Sequence, residues 1–246
     1  MRLFLTFLFG LLTSGLFANF ANAACAPQTV GDVDYTVCRF NPAISHIETY
    51  SLDAEGKPFG NFTALRDAMT SEGKKLVFAT NAGMFGEDLK PIGLFIENGK
   101  VQRRINRRSG SGNFHLKPNG VFYLKNGRPF VSDTDSYLRS GIKPDFATQS
   151  GPMLVINGEI HPKFSPDGPS EKIRNGVGVG DDGYIYFVKS EMAVNFYGFA
   201  AVFRDTLSCK NALFFDGSVS SLYSTELGRN DGFIPLGPMV GIYEKQ

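Results

Sequence analysis

Asp216 is the residue that the sequence places best to do chemistry. The run Ala212-Leu213-Phe214-Phe215 reads as a buried strand that stops at this carboxylate, and Gly217, Ser218, Val219, Ser220 and Ser221 follow. A strand fixes the carboxylate in space, and the glycine lets the backbone turn beside it with no Cβ in the way. The same grammar occurs earlier, where Leu76-Val77-Phe78-Ala79 runs into Thr80, Asn81, Ala82 and Gly83. Two buried strands that each end in a polar residue and a glycine can aim those residues into one pocket. Asp216 could then act as general acid, base or nucleophile, while Asn81 could hold a sugar hydroxyl or stabilise an oxyanion. Arg174 is the third member. It follows a proline-broken loop and precedes a glycine-alternating strand, so its guanidinium could face a cavity. Its permanently charged fork suits phosphate oxygens. Each residue also has a plainer use: Asp216 capping its own turn, Asn81 filling an Asx-turn, Arg174 pairing with Glu171.

Other chemistries find little support. His46, His115 and His161 are far apart, and neither His-Glu-x-x-His nor Cys-x-x-Cys occurs, so no metal or cofactor is expected. Gly176-Val177-Gly178-Val179-Gly180 has glycines spaced for a dinucleotide, but a strand and hairpin follow where a helix is needed. No Gly-x-Ser-x-Gly elbow is present.

The elements that must hold these residues are mostly strands. Asn98-Gly99, Asn126-Gly127, Asn157-Gly158 and Asp182-Gly183 each sit between apolar runs and read as hairpin turns. Two helices interrupt them. Residues 61–72 put Phe62, Leu65, Ala68 and Met69 on one stripe, and residues 195–208 do the same with Phe196, Phe199, Ala200, Phe203 and Leu207. Each helix leads into one of the two polar-ended strands. The expected fold is α+β, a single domain with a mixed, strongly twisted, hairpin-rich sheet and two main helices. Residues 162–169 and 228–233 read as long loops and pocket walls.

Residues 1–23 read as a signal peptide: Arg2, an apolar stretch from Leu3 to Phe17, then Ala21-Asn22-Ala23 as a cleavage site. Cleavage after Ala23 predicts a periplasmic or secreted protein and leaves residues 24–246 as the working domain, with no stable membrane insertion. Removing Arg2 from 25 basic side chains leaves 24, against 24 acidic ones, so the mature chain is formally neutral. Neutrality gives no support for a nucleic-acid partner. The run from Arg103 to Arg108 is the local exception, either a solvated hairpin arm or an anion-attracting rim. Of three cysteines, Cys25 and Cys38 flank a turn and are the favoured disulfide, leaving Cys209 as a buried free thiol.

Taken in order, these motifs resemble the phosphodiester glycosidase family. The matching segments are Asn81-Ala82-Gly83, Lys117-Pro118-Asn119-Gly120, Gln149-Ser150-Gly151-Pro152, Arg174-Asn175-Gly176 and Asp216-Gly217-Ser218. The resemblance implies an exported hydrolase that cleaves a sugar-1-phosphodiester between the anomeric carbon and the phosphate oxygen. It implies Asn81, Arg174 and Asp216 as catalytic residues, with Gly83, Asn119, Ser150, Gly151, Gly217 and Ser218 binding a small-molecule or glycan substrate. Ala82 and Ser218 replace glycines of the commoner pattern and narrow the space for a ligand. A second catalytic carboxylate is not fixed by sequence; Asp135, Glu191 and Glu226 are the choices. The alternative is a glycan- or phosphosugar-binding envelope protein with the same pocket and no catalysis.

Overall fold

A computed structural model describes residues 24–232 and 234–245, so the signal-peptide segment lies outside the described residues. Three sheets carry the fold. A seven-stranded sheet runs Cys25–Val30, Val33–Phe40, Ile185–Ser190, Asn175–Gly180, Cys209–Asp216, Met153–Ile156, Glu159–Ile160. One five-stranded sheet runs Arg229–Asn230, Leu222–Ser224, Lys74–Asn81, Met239–Lys245, His46–Tyr50, and a second runs Lys100–Arg103, Phe95–Glu97, Phe146–Ser150, Gly120–Lys125, Arg128–Asp133. The α+β class holds, but two details of the expectation change. The strand pairs among the described residues are antiparallel throughout, where a mixed sheet was expected. Tight hairpins dictate this, because only a long crossover can return a chain parallel to itself. Asn98, Asn126 and Asn157 take positive φ together with the glycines that follow them, as two-residue hairpin turns require.

A third helix, Thr134–Ser140, joins the two expected ones. Asp133 caps its start by accepting from the Asp135 and Ser136 amides, and Gly141 closes it in the left-handed region. The first expected helix spans Phe62–Ser71, with the Asn61 side chain capping the Ala64 amide and Phe62, Leu65 and Met69 buried. The other spans Phe196–Ala201 and widens into a π-helical turn over Val202–Thr206.

Phe187 marks where the sheets meet. Its ring lies 6.3 Å from Phe40 in its own sheet, 5.1 Å from Phe78 in the second and 5.9 Å from Phe122 in the third. The Cys25–Cys38 disulfide forms across a directly paired position of the first hairpin. Cys209 is the buried free thiol, and burial pushes its titration well above the ordinary range.

The glycines of Asn175–Gly180 are packing devices. A Cβ on Gly176 would meet the Leu213 carbonyl at 2.7 Å, and one on Gly178 would meet the Cys209 sulfur at 2.7 Å and Phe203 at 2.8 Å. Their absence lets the Phe196–Ala201 helix and its π turn lie directly on the sheet. Gly176→Ala is therefore expected to cost about 1–3 kcal/mol by overpacking, since a backbone carbonyl cannot rotate away. Urea unfolding measures it, and an unchanged midpoint would refute this reason for the glycine.

Candidate active site

Asp216 owes its placement to a β-bulge. Asn175 pairs with Asp216 and Gly176 with Phe214, so Phe215 is an extra residue on the longer strand. The displaced Phe215 carbonyl accepts from Ser150 Oγ at 3.1 Å, which anchors the bulge to the third sheet. Beyond it the chain turns over the carboxylate. Asp216 Oδ1 accepts from the Ser218 amide and, at 2.7 Å, from the Val219 amide, so one oxygen does cap the turn. The other oxygen has no recorded partner among the described residues.

Asn81 meets this unit from the neighbouring sheet. Its Oδ1 accepts from Asn175 Nδ2 at 2.8 Å and from the Ser221 amide at 2.9 Å. Asn175 Nδ2 also reaches Thr80 Oγ1 at 2.9 Å, and Thr80 Oγ1 donates to the Ser221 carbonyl at 2.9 Å. The two polar strand ends are thus laced together through Asn175, the direct cross-strand partner of Asp216. The Asn81 side chain is wholly buried and spends its hydrogen bonds on protein. It holds the turn in place, and its Nδ2 donates to Asn175 Oδ1 at 3.3 Å.

Arg174, one residue before Asn175, is buried to 0 % exposure. Its Nε donates to the Val194 carbonyl at 2.8 Å and Nη2 to the Ser170 carbonyl at 2.6 Å, while Nη1 has no partner among the described residues. Among the described residues no carboxylate pairs with it, Glu171 included. The guanidinium lies 3.6 Å over the Phe196 ring, which stacks on Phe164 at 4.8 Å, which in turn stacks on His161 at 4.7 Å. The 162–169 segment, expected to wall a pocket, therefore backs the arginine. Burial lowers the Arg174 guanidinium to about 10, which leaves it charged at neutral pH. The unpaired Nη1 sits under the Asp216 turn: a Cβ on Gly217 would lie 3.5 Å from it. Instead of facing an open cavity, the charge is packed beneath the turn, with Gly217 as the thin place above it.

The other expected binding residues are structural neighbours. Gly83, at φ +102°, comes so close to the Phe146–Ser150 strand that a Cβ would lie 3.0 Å from Thr148 Oγ1 and 3.1 Å from the Gln149 carbonyl. Gly151 packs on Asn119, where a Cβ would approach to 2.6 Å. The buried Asn119 side chain donates to the Phe114 carbonyl at 3.1 Å and accepts from Thr134 Oγ1 at 2.8 Å. Ser218 is exposed on the turn. Of the basic run, Arg107 pairs with Asp135 at 3.3 Å on the surface.

Sequence reasoning named Glu191 and the 228–233 loop separately but missed the polar group they form beside the turn. Ile173, Lys189, Gly217 to Ser221, Arg229, Asp231 and Ile234 line an open pocket of about 240 Å³. Arg229 grips Glu191 with two bonds, at 2.6 and 3.0 Å, and Asp231 with a third at 2.9 Å. Lys189 Nζ lies 3.1 Å from Glu191 and 3.9 Å from Asp231. The sequence signal was present: Lys189-Ser190-Glu191 closes a buried strand with charge, and Arg229 and Asp231 stand in the 228–233 loop. Burial alone would raise the Glu191 carboxyl, but hydrogen bonds from Arg229 and Thr36 and the Lys189 charge outweigh it and bring it to about 2. Glu191 is thus a fixed anion, unsuited to proton donation. Its stabilising contribution is complete above the ordinary value of 4.5 and is lost as pH falls toward 2. Glu191→Gln should flatten the acid limb of the stability curve in that window, and identical limbs in both proteins would contradict the assignment. Glu226, another choice for a second carboxylate, accepts from the Cys25 amide at 2.8 Å in a different cavity. Among the described residues, no group of three or more His, Cys, Asp or Glu side chains could hold a metal ion.

Comparison with known proteins adds the following. The family model described as phosphodiester glycosidase matches residues 74–239. The uncharacterized protein YigE of Escherichia coli (strain K12) is 38% identical over 209 residues, which cover 85% of this chain and 80% of that protein. The fold resembles the catalytic domain of zebrafish N-acetylglucosamine-1-phosphodiester alpha-N-acetylglucosaminidase, auto-inhibited by its pro-peptide, with TM-score 0.58 and 16% identity. That match covers 89% of this chain and 81% of the other. A hypothetical protein from Synechocystis shares the fold at TM-score 0.52 and 16% identity, over 89% of this chain and 61% of that one.

Proposed function

The chain belongs to the phosphodiester glycosidase family, and from that premise we propose that it hydrolyses a sugar-1-phosphodiester at the bond between the anomeric carbon and the phosphate oxygen. One observation carries the reading: Arg174 is buried and charged and, among the described residues, has no carboxylate partner and keeps an unpaired Nη1 beneath the Asp216 turn. A buried unpaired cation costs several kcal/mol and persists where an anion is to be met. Phosphate, with oxygens matched to a guanidinium fork, is such an anion.

The chemistry follows from the leaving group. Water attacks the anomeric carbon, its proton passes to the free oxygen of Asp216, and the C1–O bond breaks with its electron pair staying on the phosphate oxygen. The products are a reducing sugar and a phosphate monoester. Ordinary glycosidases need a second carboxylic acid because an alkoxide leaves poorly. A phosphate monoester, whose second pKa is about 6, leaves as a stable anion, and the positive charge of Arg174 beneath the turn favours it. This supports a site with one working carboxylate, in keeping with Glu191 and Glu226 being spent on protein bonds and Asp135 on a surface ion pair.

The disulfide supports an oxidising compartment, so we place the enzyme outside the cytoplasm, with residues 1–23 as its export signal. Among the described residues no helix is long and apolar enough to cross a membrane. A second reading, a glycan-binding module without turnover, is favoured by the Asp216 oxygen committed to its own turn. A panel of sugar-1-phosphodiesters assayed for reducing sugar decides between the two. Release from at least one substrate supports hydrolysis, whereas binding without release supports the module.

A further inference from the structure

We infer that the basic segment 103–108 and the helix beside it form a docking face for a bilayer that carries anionic phospholipid. This goes beyond the hydrolase reading and does not depend on it. Arg103, Arg104, Arg107 and Arg108 are all exposed. Among the described residues Arg107 pairs with Asp135, while the other three have no carboxylate partner. Residues 98–132 contain no acidic side chain, although the whole chain carries a net charge of only +1. Charge is therefore gathered here and not scattered. Lys117 borders an open pocket of about 360 Å³ together with Arg107, Asp133 and Asp135, and Arg139 lies in the last turn of the helix Thr134–Ser140. Six cations thus stand against two carboxylates, and one of these, Asp133, is turned to capping the helix amides.

The segment is held firmly. Gln149, itself buried, accepts from the Asn106 amide and donates to the Asn106 carbonyl, both at 2.9 Å. The Asn106 side chain donates to the Ile92 carbonyl at 2.9 Å and accepts from the Arg108 amide at 3.0 Å. Ile105 packs into the apolar cluster that Tyr137 of the helix also enters, so segment and helix cover the same face of the third sheet. A backbone fixed in advance lowers the cost of ordering the arginines against a partner. Successive side chains of a strand point to opposite faces. Gln149 therefore holds the segment on one side, while Ser150 anchors the Phe215 carbonyl on the other, so docking leaves the Asp216 bulge on the far side of the strand. Two exposed apolar residues favour a bilayer over a soluble polyanion. Val101, two residues before Arg103, is 53% exposed, and Leu138, next to Arg139, is 41% exposed. Guanidinium forks match lipid phosphates, and apolar side chains set among them can enter the acyl boundary just beneath. A soluble polyanion offers the valine and the leucine nothing to enter.

The test sediments the full mature chain with vesicles of phosphatidylcholine, either alone or mixed with phosphatidylglycerol. The chain should pellet with the anionic vesicles only, and added salt should release it. Arg103→Gln combined with Arg104→Gln should weaken that binding about twenty-five-fold, roughly fivefold for each charge. Lys57→Gln combined with Lys210→Gln removes two exposed cations elsewhere and should bind like the parent. Val101→Ser combined with Leu138→Ser should weaken vesicle binding several-fold and leave any binding of heparin, a soluble polyanion, unchanged. Equal pelleting with both kinds of vesicle, or with neither, would overturn the inference. So would an equal loss from the two pairs of charge changes. Vesicle binding indifferent to the Val101 and Leu138 changes would overturn it in favour of a soluble polyanion.

Discussion

Arg174→Met should lower kcat/KM on a sugar-1-phosphodiester by about a thousandfold while leaving the fold at least nearly as stable as before. The two effects have one origin. The guanidinium is fully buried, carries a charge at neutral pH and has no carboxylate partner among the described residues, so it is a burden to folding. Methionine keeps the unbranched stem and can still lie against Phe196. The loss is the hydrogen bonds that Arg174 donates to the carbonyl of Val194 and to the carbonyl and hydroxyl of Ser170, together with the stacking of its charge on Phe196. In the proposed reaction the same charge, lying beneath Gly217, favours the departing phosphate anion. Steady-state kinetics and thermal unfolding of the same sample check both halves. Arg174→Lys sharpens the test, since it keeps the charge without the fork and should recover only part of the lost rate. Turnover near that of the wild type in the methionine variant would remove the phosphate contact from the account.

Asp216→Asn carries the second large effect, an expected fall in kcat of about a hundred- to ten-thousandfold. The amide oxygen of asparagine can still accept from the Ser218 and Val219 amides, so the turn should survive. What disappears is the free oxygen's capacity to take a proton from water. Binding of a phosphodiester, followed by calorimetry, should remain within a few-fold of the parent. Retained turnover would assign Asp216 to the turn alone and remove it from the chemistry.

How much of this was legible in the sequence depended on how local the physics was. Asn98-Gly99, Asn126-Gly127 and Asn157-Gly158 declared their hairpins because positive φ is a property of those residues themselves. Apolar stripes at helical spacing disclosed Phe62–Ser71 and the start of Phe196–Ala201, and the strand-then-glycine pattern located Asp216, Asn81 and Gly217. The helix Thr134–Ser140 was missed although Asp133 and Gly141 cap it, since two turns carry too little apolar periodicity to register. The bulge at Phe215 lay beyond reach, because it exists only when Asn175 is laid against Asp216. So did the stack from His161 through Phe164 and Phe196 to Arg174, and the grip of Arg229 on Glu191. Residues that far apart become partners through tertiary packing, which no spacing rule encodes. Asn81, expected as catalytic, and Asn119, expected as substrate-binding, also bond to backbone: Asn81 Oδ1 accepts from the Ser221 amide and Asn119 Nδ2 donates to the Phe114 carbonyl, partners that no local pattern announces.

The central claim is that the bond broken lies on the sugar side of the bridging oxygen. Hydrolysis of a sugar-1-phosphodiester in water enriched in heavy oxygen tests it, with the phosphate monoester examined by phosphorus NMR for an isotope shift. Attack at the anomeric carbon leaves the phosphate product free of the label. Label in the phosphate would mean attack at phosphorus, and neither the role given to Arg174 nor that given to Asp216 would stand.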